Sequence, residues 1–184
     1  MAAAEFTVEI VKWSPAWAEE FQARGALLRA ALGGRAVRID HIGSTSVKGL
    51  GAKPIVDIQV SVAAFEPLDG LVAAMSGAGY VWRKDNPELT KRYFREGPGA
   101  RRCHVHVRRA GGWNEQWALL FRDYLRTHAN ARAAYERVKR DLAKQHRHDR
   151  HAYTDAKGAF LWATIERADR WAGEVGWTAG PSDA

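Results

Sequence analysis

Residues 41–62 read His41-Ile-Gly-Ser-Thr-Ser-Val-Lys-Gly-Leu-Gly-Ala-Lys-Pro-Ile-Val-Asp-Ile-Gln-Val-Ser-Val62. A hydroxyl-rich glycine turn comes first. The strand that follows alternates between two faces, because successive strand residues point to opposite sides of a sheet. One face carries Asp57 and Gln59 toward whatever the glycine turn binds. The opposite face is aliphatic throughout, which predicts that it packs into the hydrophobic core; it consists of Val56, Ile58, Val60 and Val62.

Short strands and two helices surround this stretch in the first part of the chain. A helix is predicted over residues 15–32, since Ser14 is a favourable N-cap, Pro15 suits the first helical position and Gly33-Gly34 ends the pattern. A second helix is predicted over residues 66–77. Runs of alternating or β-branched residues predict strands at 5–11, 37–42, 80–82, 91–95 and 103–107.

The last part of the chain has helical periodicity. Helices are predicted over residues 114–127, from a cap at Asn130 to residue 146, and from a cap at Thr154 or Asp155 to residue 171. The histidines and arginines of residues 146–151 predict a solvated link. We expect a single α/β (α+β) domain over residues 1–175, built on a mixed sheet flanked by helices. Within this domain, residues 1–112 are expected to be sheet-rich and residues 113–172 helical. Residues 173–184 are expected to be a flexible tail.

Composition and charge limit the class of protein. The 184 residues are 46% hydrophobic and 27% charged, which is globular rather than disordered composition. Cys103 is the only cysteine, so an intrachain disulfide is excluded. The first residues lack the pattern of a secretory signal, and no run is long and apolar enough for a membrane span, which together predict a cytoplasmic protein with no membrane partner.

The formal net charge of +7 predicts attraction to anions such as nucleotides, RNA or acidic lipids. An arginine-rich and alanine-rich composition can also follow from the base composition of a genome. Charge alone therefore selects no partner.

The glycine turn and the strand behind it are typical of a phosphate site. Gly43, Ser44 and Thr45 can bring backbone N–H groups and hydroxyls close to an anion, because glycine allows close approach of the backbone. The lysine and hydroxyl spacing of a Walker loop is absent. Asp57 is placed to hold a divalent cation that bridges to phosphate, although a carboxylate paired with an arginine is the structural alternative.

The runs at residues 41–47 and 53–58 closely resemble the GrpB family, a group of small bacterial proteins within the nucleotidyltransferase superfamily. The resemblance extends over most of the chain, through residues 93–95, 104–107 and 120–125, Tyr135, Lys139 and residues 153–157. It implies a nucleotidyltransferase-like fold. In that fold a Gly-Ser turn binds nucleotide phosphates, and acidic residues hold magnesium for attack on a nucleoside triphosphate.

The resemblance implies roles for Gly43, Ser44 and Asp57, but the acidic set is incomplete. Gln59 stands where a second carboxylate is expected, and His104 and His106 stand on the strand expected to supply the third. A magnesium or manganese ion is expected from the resemblance. Zinc is the alternative, because imidazole suits zinc better. Asp57 and His106 are the expected metal ligands, and Asp57, His104 and His106 are the expected catalytic residues.

Five further residues are predicted to bind phosphate or nucleotide, with an ordinary surface role as the alternative for each: Lys53, Arg92, Lys139, Tyr153 and Lys157. Lysines and arginine would offset phosphate charge, and a tyrosine would stack on a base. Two main hypotheses follow. The chain is a metal-assisted nucleotidyl or phosphoryl transferase, or it binds such a ligand without catalysis on a degenerate fold, as Gln59 favours. RNA binding is a third hypothesis, which rests on charge and aromatic residues alone.

Overall fold

The strand that carries Asp57 lies second in a five-stranded mixed sheet. The computed structural model describes residues 7–184. The strands are β1 (Ala36–Ile42), β2 (Val56–Val62), β3 (Tyr80–Trp82), β4 (Lys91–Glu96) and β5 (Cys103–Arg109), in the order β1-β2-β5-β4-β3. The β2 and β5 strands pair in parallel, and the other neighbouring pairs are antiparallel.

Helices cover both faces of the sheet. They are α1 (Ala16–Leu32), α2 (Leu68–Gly77), α3 (Trp113–Thr127), α4 (Ala129–Gln145), α5 (Arg150–Ala156) and α6 (Gly158–Val175). The aliphatic face of β2 packs with β5 against α1 and α2, where Ile58, Val60 and Val105 have no exposed surface. A second apolar cluster joins α3, α4 and α6. The predicted mixed sheet flanked by helices, with a helical C-terminal part, is confirmed.

The first helix follows its predicted signals. Pro15 already has helical backbone angles, and the Ser14 hydroxyl accepts a hydrogen bond from the Ala16 N–H at 3.3 Å. The predicted strand over residues 5–11 is wrong within the described part of the chain. There, only an isolated bridge joins Val11 to Ala52, because the turn into α1 begins four residues later, at Pro15. Residues 5 and 6 lie outside the described residues.

The predicted starts of the later helices are wrong. His128 rather than Asn130 precedes α4. The helix predicted from Thr154 or Asp155 is two helices, because Asp149 caps α5 by accepting the Ala152 N–H at 2.9 Å. The solvated link predicted at residues 146–151 is therefore shorter than expected, since α5 begins inside it.

The C-terminal residues lie along β1 where the sequence predicts a flexible tail. The α6 helix continues to Val175, and residues 182–184 contact the outer edge of β1. Ser182 Oγ accepts from the Ile39 N–H at 2.8 Å, and the Ala184 N–H donates to the Ile39 carbonyl at 3.1 Å. Asp183 accepts from the His41 N–H and from the buried Arg122 guanidinium. Among residues 7–184, no helix combines the length and apolar content that crossing a membrane requires.

Ile58→Ala should reduce the free energy of unfolding by about 2–5 kcal/mol, because Ile58 is fully buried between the sheet and the first two helices and its truncation leaves a cavity. Val37→Ala, on the exposed side of β1, should cost less than about 1 kcal/mol. Urea unfolding of both variants measures the difference. Equal losses would show that this face of β2 is not the core.

Candidate functional site

Asp57, His104 and His106 meet on the face of the sheet opposite the aliphatic core. The parallel register pairs Asp57 with His104 and Gln59 with His106, so the three titratable side chains project to the same side. His104 Nδ1 lies 2.9 Å from Asp57 Oδ1, and His106 Nε2 lies 3.5 Å from the same oxygen. One carboxylate oxygen therefore faces two imidazoles.

These contacts determine the charge of the group. Burial alone would raise the pKa of Asp57, but hydrogen bonds with His104 and His106 outweigh it and hold that pKa well below its usual range. Burial lowers the pKa of His106, although Asp57 opposes this shift. Asp57 is consequently a carboxylate at neutral pH.

Gly43 allows the turn to approach this carboxylate. Its φ is +70°, a left-handed value that favours glycine, and a Cβ atom there would lie 2.7 Å from Asp57 Oδ2. A single 3₁₀ turn over Ser44–Ser46 follows, in which the Ser46 hydroxyl donates to the Gly43 carbonyl at 2.6 Å. The initial N–H groups of a helical turn have no partner within it. The predicted glycine turn thus lies directly against Asp57.

His41 contacts the turn through Thr45 and holds it against α1. Its ring stacks on Phe21 at 4.8 Å between centroids, and its Nε2 lies 2.9 Å from Thr45 Oγ1. Burial lowers the pKa of His41 to about 4, so the imidazole is neutral at pH 7. Thr45 is predicted to bind phosphate, but its hydroxyl contacts His41, and the residue is 2% exposed. The structure therefore gives the Thr45 side chain a positioning role in the wall of the site.

A cavity of about 370 Å³ opens beside the turn and the carboxylate. Three lysines from separate parts of the chain line it: Lys53 before β2, Lys139 on α4 and Lys157 between α5 and α6. Burial lowers the pKa of Lys139 to about 7 and that of Lys157 to about 8, and it also lowers the pKa of Lys53. Asp57 is the one carboxylate among the described residues that line this cavity.

Two tyrosines hold the lysines in place. Lys53 Nζ and Lys157 Nζ lie 5.1 and 4.6 Å from the centre of the Tyr153 ring, and Lys139 Nζ lies 4.7 Å from that of Tyr135. Lys139 also donates to the Gly51 carbonyl. The prediction that Tyr153 stacks on a base is not met, because the residue is 1% exposed and its ring supports two lysines.

Gln59, at the expected second acidic position, is fully buried beneath α3. Its Nε2 donates to the Glu115 carbonyl at 3.2 Å. Ser61, the next residue on the same face of the strand, donates its hydroxyl to the Glu115 carboxylate at 2.7 Å. The Gln59 Oε1 atom has no hydrogen-bond partner among the described residues. The second position of the strand thus contributes to helix packing and is closed to a ligand.

The prediction that Arg92 lines the phosphate site is wrong. The antiparallel register pairs Tyr93 with His106 and Arg95 with His104, which places those residues on the cleft face and Arg92 on the other. The Arg92 guanidinium lies 4.2 Å from the centre of the Phe65 ring. The other predicted residues, Gly43, Ser44, Thr45, Lys53, Asp57, His104, His106, Lys139, Tyr153 and Lys157, all line the cavity.

Tyr135, which is part of the GrpB resemblance, and Thr154 line the cavity without being among the residues predicted to bind phosphate or nucleotide. Tyr135 and Lys139 are one helical turn apart, and this spacing was the available signal for the tyrosine. The sequence predicts a helix cap at Thr154 or Asp155, and no sequence signal separates a capping threonine from one that faces a cavity.

The donor set fits a divalent cation of intermediate softness. One oxygen or nitrogen atom from each of Asp57, His104 and His106 lies within 4.8 Å of the others. Two imidazoles and one carboxylate suit zinc or iron better than a pair of magnesium ions, which need several hard oxygen ligands. The outer nitrogens, His104 Nε2 and His106 Nδ1, are buried and have no hydrogen-bond partner among the described residues.

The GrpB protein family model matches residues 7–167. The chain belongs to the GrpB family. Within it, the chain is 44% identical over 152 residues to the UPF0157 protein SCO7215 of Streptomyces coelicolor, covering 83% of this chain and 79% of that one. It is 35% identical over 164 residues to UPF0157 protein YqkA of Bacillus subtilis, covering 89% of this chain and 48% of YqkA. This GrpB chain therefore spans about half the length of YqkA.

Solved structures and one enzyme family extend the comparison. GrpB from Enterococcus faecalis superposes with a TM-score of 0.80 at 32% identity, covering 89% of this chain and 99% of that chain. Cid1, solved with its short product ApU, superposes with a TM-score of 0.50 at 17% identity, covering 73% of this chain and 43% of that chain. This likeness confirms the nucleotidyltransferase-like fold alone. A dephospho-CoA kinase of Mycolicibacterium paratuberculosis is 33% identical over 195 residues, covering 92% of this chain and 48% of the kinase.

Gln59→Glu should destabilise this GrpB protein without creating a magnesium site. The new carboxylate loses the donor to the Glu115 carbonyl in a fully buried position, so we expect a loss of about 1–3 kcal/mol in urea unfolding. Gln145→Glu, at the exposed end of α4, should cost less than about 1 kcal/mol. A Gln59→Glu variant that is stabilised by magnesium where the wild type is not would contradict this interpretation.

The buried Lys139 should make stability rise with pH. Its pKa in the folded protein is about 7, below the ordinary 10.5, so the unfolded chain binds more protons between these values. Between pH 7 and 9 the wild type should gain about 2 kcal/mol of unfolding free energy relative to Lys139→Met. Lys144→Met, on the exposed side of the same helix, is the matched control and should leave the pH profile unchanged. Parallel profiles for wild type and Lys139→Met would disprove the prediction.

Proposed function

We propose that this GrpB protein binds a nucleotide or another phosphorylated small molecule in the cavity beside Asp57 and carries out metal-assisted nucleotidyl or phosphoryl transfer. The observation that carries the proposal is the charge of the cavity. Three lysines that are partly or fully buried converge on a space whose described wall contains one carboxylate. Buried cations without matching anions are costly, and a bound phosphate group would remove that cost.

The glycine turn supports the same ligand. Gly43 has no side chain to separate the backbone from a ligand, and the Ser44 hydroxyl and the first N–H groups of the 3₁₀ turn lie at the cavity wall. Lys53, Lys139 and Lys157 would offset the charge of phosphate oxygens. Charge of this kind develops on oxygen during phosphoryl transfer, and fixed cations stabilise it without reorganisation.

A divalent cation would be held by Asp57 and His106, with His104 as a third ligand or as the group that orients the Asp57 carboxylate. When bound, the cation would supply charge neutralisation at phosphate. His104 is also placed to move a proton, because its Nδ1 contacts Asp57 and its Nε2 has no partner among the described residues.

A second candidate function is binding without catalysis. The burial of Gln59 under α3 favours it, because only one carboxylate of the acidic pattern expected for the fold reaches the cavity. In this case the lysines and the glycine turn retain the ligand, and the Asp57 group orders the turn. RNA binding stays a weaker hypothesis, which rests on the net positive charge and the aromatic residues.

Thermal-shift titration should separate these functions. Wild type, Asp57→Asn and the control Asp141→Asn, an exposed carboxylate on α4, are titrated with nucleoside triphosphates, dephospho-CoA and pyrophosphate, each with magnesium, manganese or zinc. A ligand at about 100 times its dissociation constant should add about 2.7 kcal/mol to the stability of the wild type. We expect metal-dependent stabilisation that Asp57→Asn loses and Asp141→Asn keeps.

Product analysis of the same mixtures completes the test. Time-dependent release of pyrophosphate or phosphate that Asp57→Asn abolishes would support transfer chemistry. A stabilising ligand that is recovered intact from the wild type would favour the binding function. If no phosphorylated compound stabilises the protein, both candidate functions fail.

A further inference from the structure

A second cavity of about 420 Å³ adjoins the first. Lys53, His104 and Thr154 form part of the wall of both. The His104 imidazole therefore contacts Asp57 while also bordering the second space. Two spaces of about 370 and 420 Å³ that share a wall beside one carboxylate can hold two small ligands at adjacent positions.

The second cavity also has an excess of positive charge. Four cationic side chains line it, Lys53, Arg83, Arg95 and Arg150, against two carboxylates, Asp85 and Asp155. Arg83 lies 3.8 Å from Asp85, and both side chains are at least half exposed, so the partial neutralisation between them is weak.

The sheet register places Arg95 in this wall. Arg95 pairs across the strands with His104, so its side chain extends from the same face of the sheet as the His104 ring. Glu96 holds the guanidinium through contacts of 2.7 and 3.3 Å. Glu96 also accepts the Cys103 N–H at 2.9 Å, which fixes that carboxylate to β5. A guanidinium anchored in this way has a fixed orientation, and its Nη1 group is left to donate to a phosphate oxygen.

Two structured segments contribute residues to the wall of this space. One is the turn after β3, where the Arg83 N–H donates to the Tyr93 carbonyl and the Asn86 N–H to the Arg83 carbonyl. The other is α5, which Asp149 caps. A space of about 420 Å³ bordered by ordered segments of the chain suits a molecule of metabolite size.

We propose that the second cavity binds a second substrate, a small molecule with a phosphate group, next to the ligand of the lysine cavity. The proposal deepens and rests on the proposed function, since it makes the site bisubstrate. The phosphate group would lie against Arg95 and Arg83, which leaves the rest of the molecule directed toward His104 and Asp57.

Isothermal titration calorimetry with inorganic phosphate, at constant ionic strength, tests the proposal on the full chain. The wild type should bind two phosphates. Lys157→Gln should remove the site in the lysine cavity, and Arg95→Gln should remove the other, each by weakening one site about tenfold or more. Arg83→Gln should weaken the same site as Arg95→Gln, and its exposure protects it from a folding defect.

Arg92→Gln is the matched control, because Arg92 belongs to the same strand and projects from the opposite face of the sheet. It should leave both phosphate sites intact. If Arg92→Gln weakens binding as much as Arg95→Gln, the attraction is general electrostatics and the proposal is overturned.

The remaining outcomes separate this proposal from the proposed function. A single phosphate site that Lys157→Gln removes and that Arg95→Gln and Arg83→Gln leave unchanged overturns the second site while the proposed function stands. A single site that only the arginine variants remove overturns the lysine site instead. If a short RNA oligonucleotide binds with dependence on Arg95 while inorganic phosphate does not bind there, the small-molecule assignment is wrong.

Discussion

The contact between Asp57 and His104 depends on the parallel pairing of β2 with β5, and the rest of the site is arranged around it. Parallel strands in register bring side chains of equal orientation beside one another, which places the carboxylate against His104 and His106. The same carboxylate leaves room for no side chain at position 43. Among the described residues that line the cavity it is the one carboxylate, beside three lysines, so it also balances part of their charge.

The packing of α3 explains why a nucleotidyltransferase-like fold carries one acidic residue here. The helix lies on the polar face of β2, and its Glu115 accepts from both Gln59 and Ser61. Only Asp57, near the start of the strand, extends beyond the helix into the cavity. A carboxylate at position 59 would face the buried carbonyl of Glu115, so the requirement for α3 packing and the requirement for a second metal ligand conflict at this position.

Several features could be predicted from sequence because they depend on local geometry. Alternation along β2 and β5 identified the core face and the shared face of His104 and His106, and the turn residues identified the approach at Gly43. Which side chains face the cavity depends on packing between segments far apart in the chain, which local patterns do not determine. Lys53, Lys139 and Lys157 are ordinary surface lysines by composition, and the folding of α4 and α5 onto the sheet brings them together. The prediction for Arg92 is wrong because neighbouring residues of β4 point to opposite faces of the sheet, and Arg92 lies on the face away from the cavity.

The sequence by itself determined the family, the mixed sheet with its flanking helices and the pairing of a glycine turn with Asp57. The glycine turn and Asp57 lie close together in the chain, where backbone geometry limits the conformations available, and the family and its fold follow from motifs spread over most of the chain. The tertiary structure alone decided that Gln59 is closed under α3, that residues 182–184 lie along β1 and that Tyr153 supports two lysines. These depend on which helix covers which face, and contacts between residues far apart in the chain determine that choice.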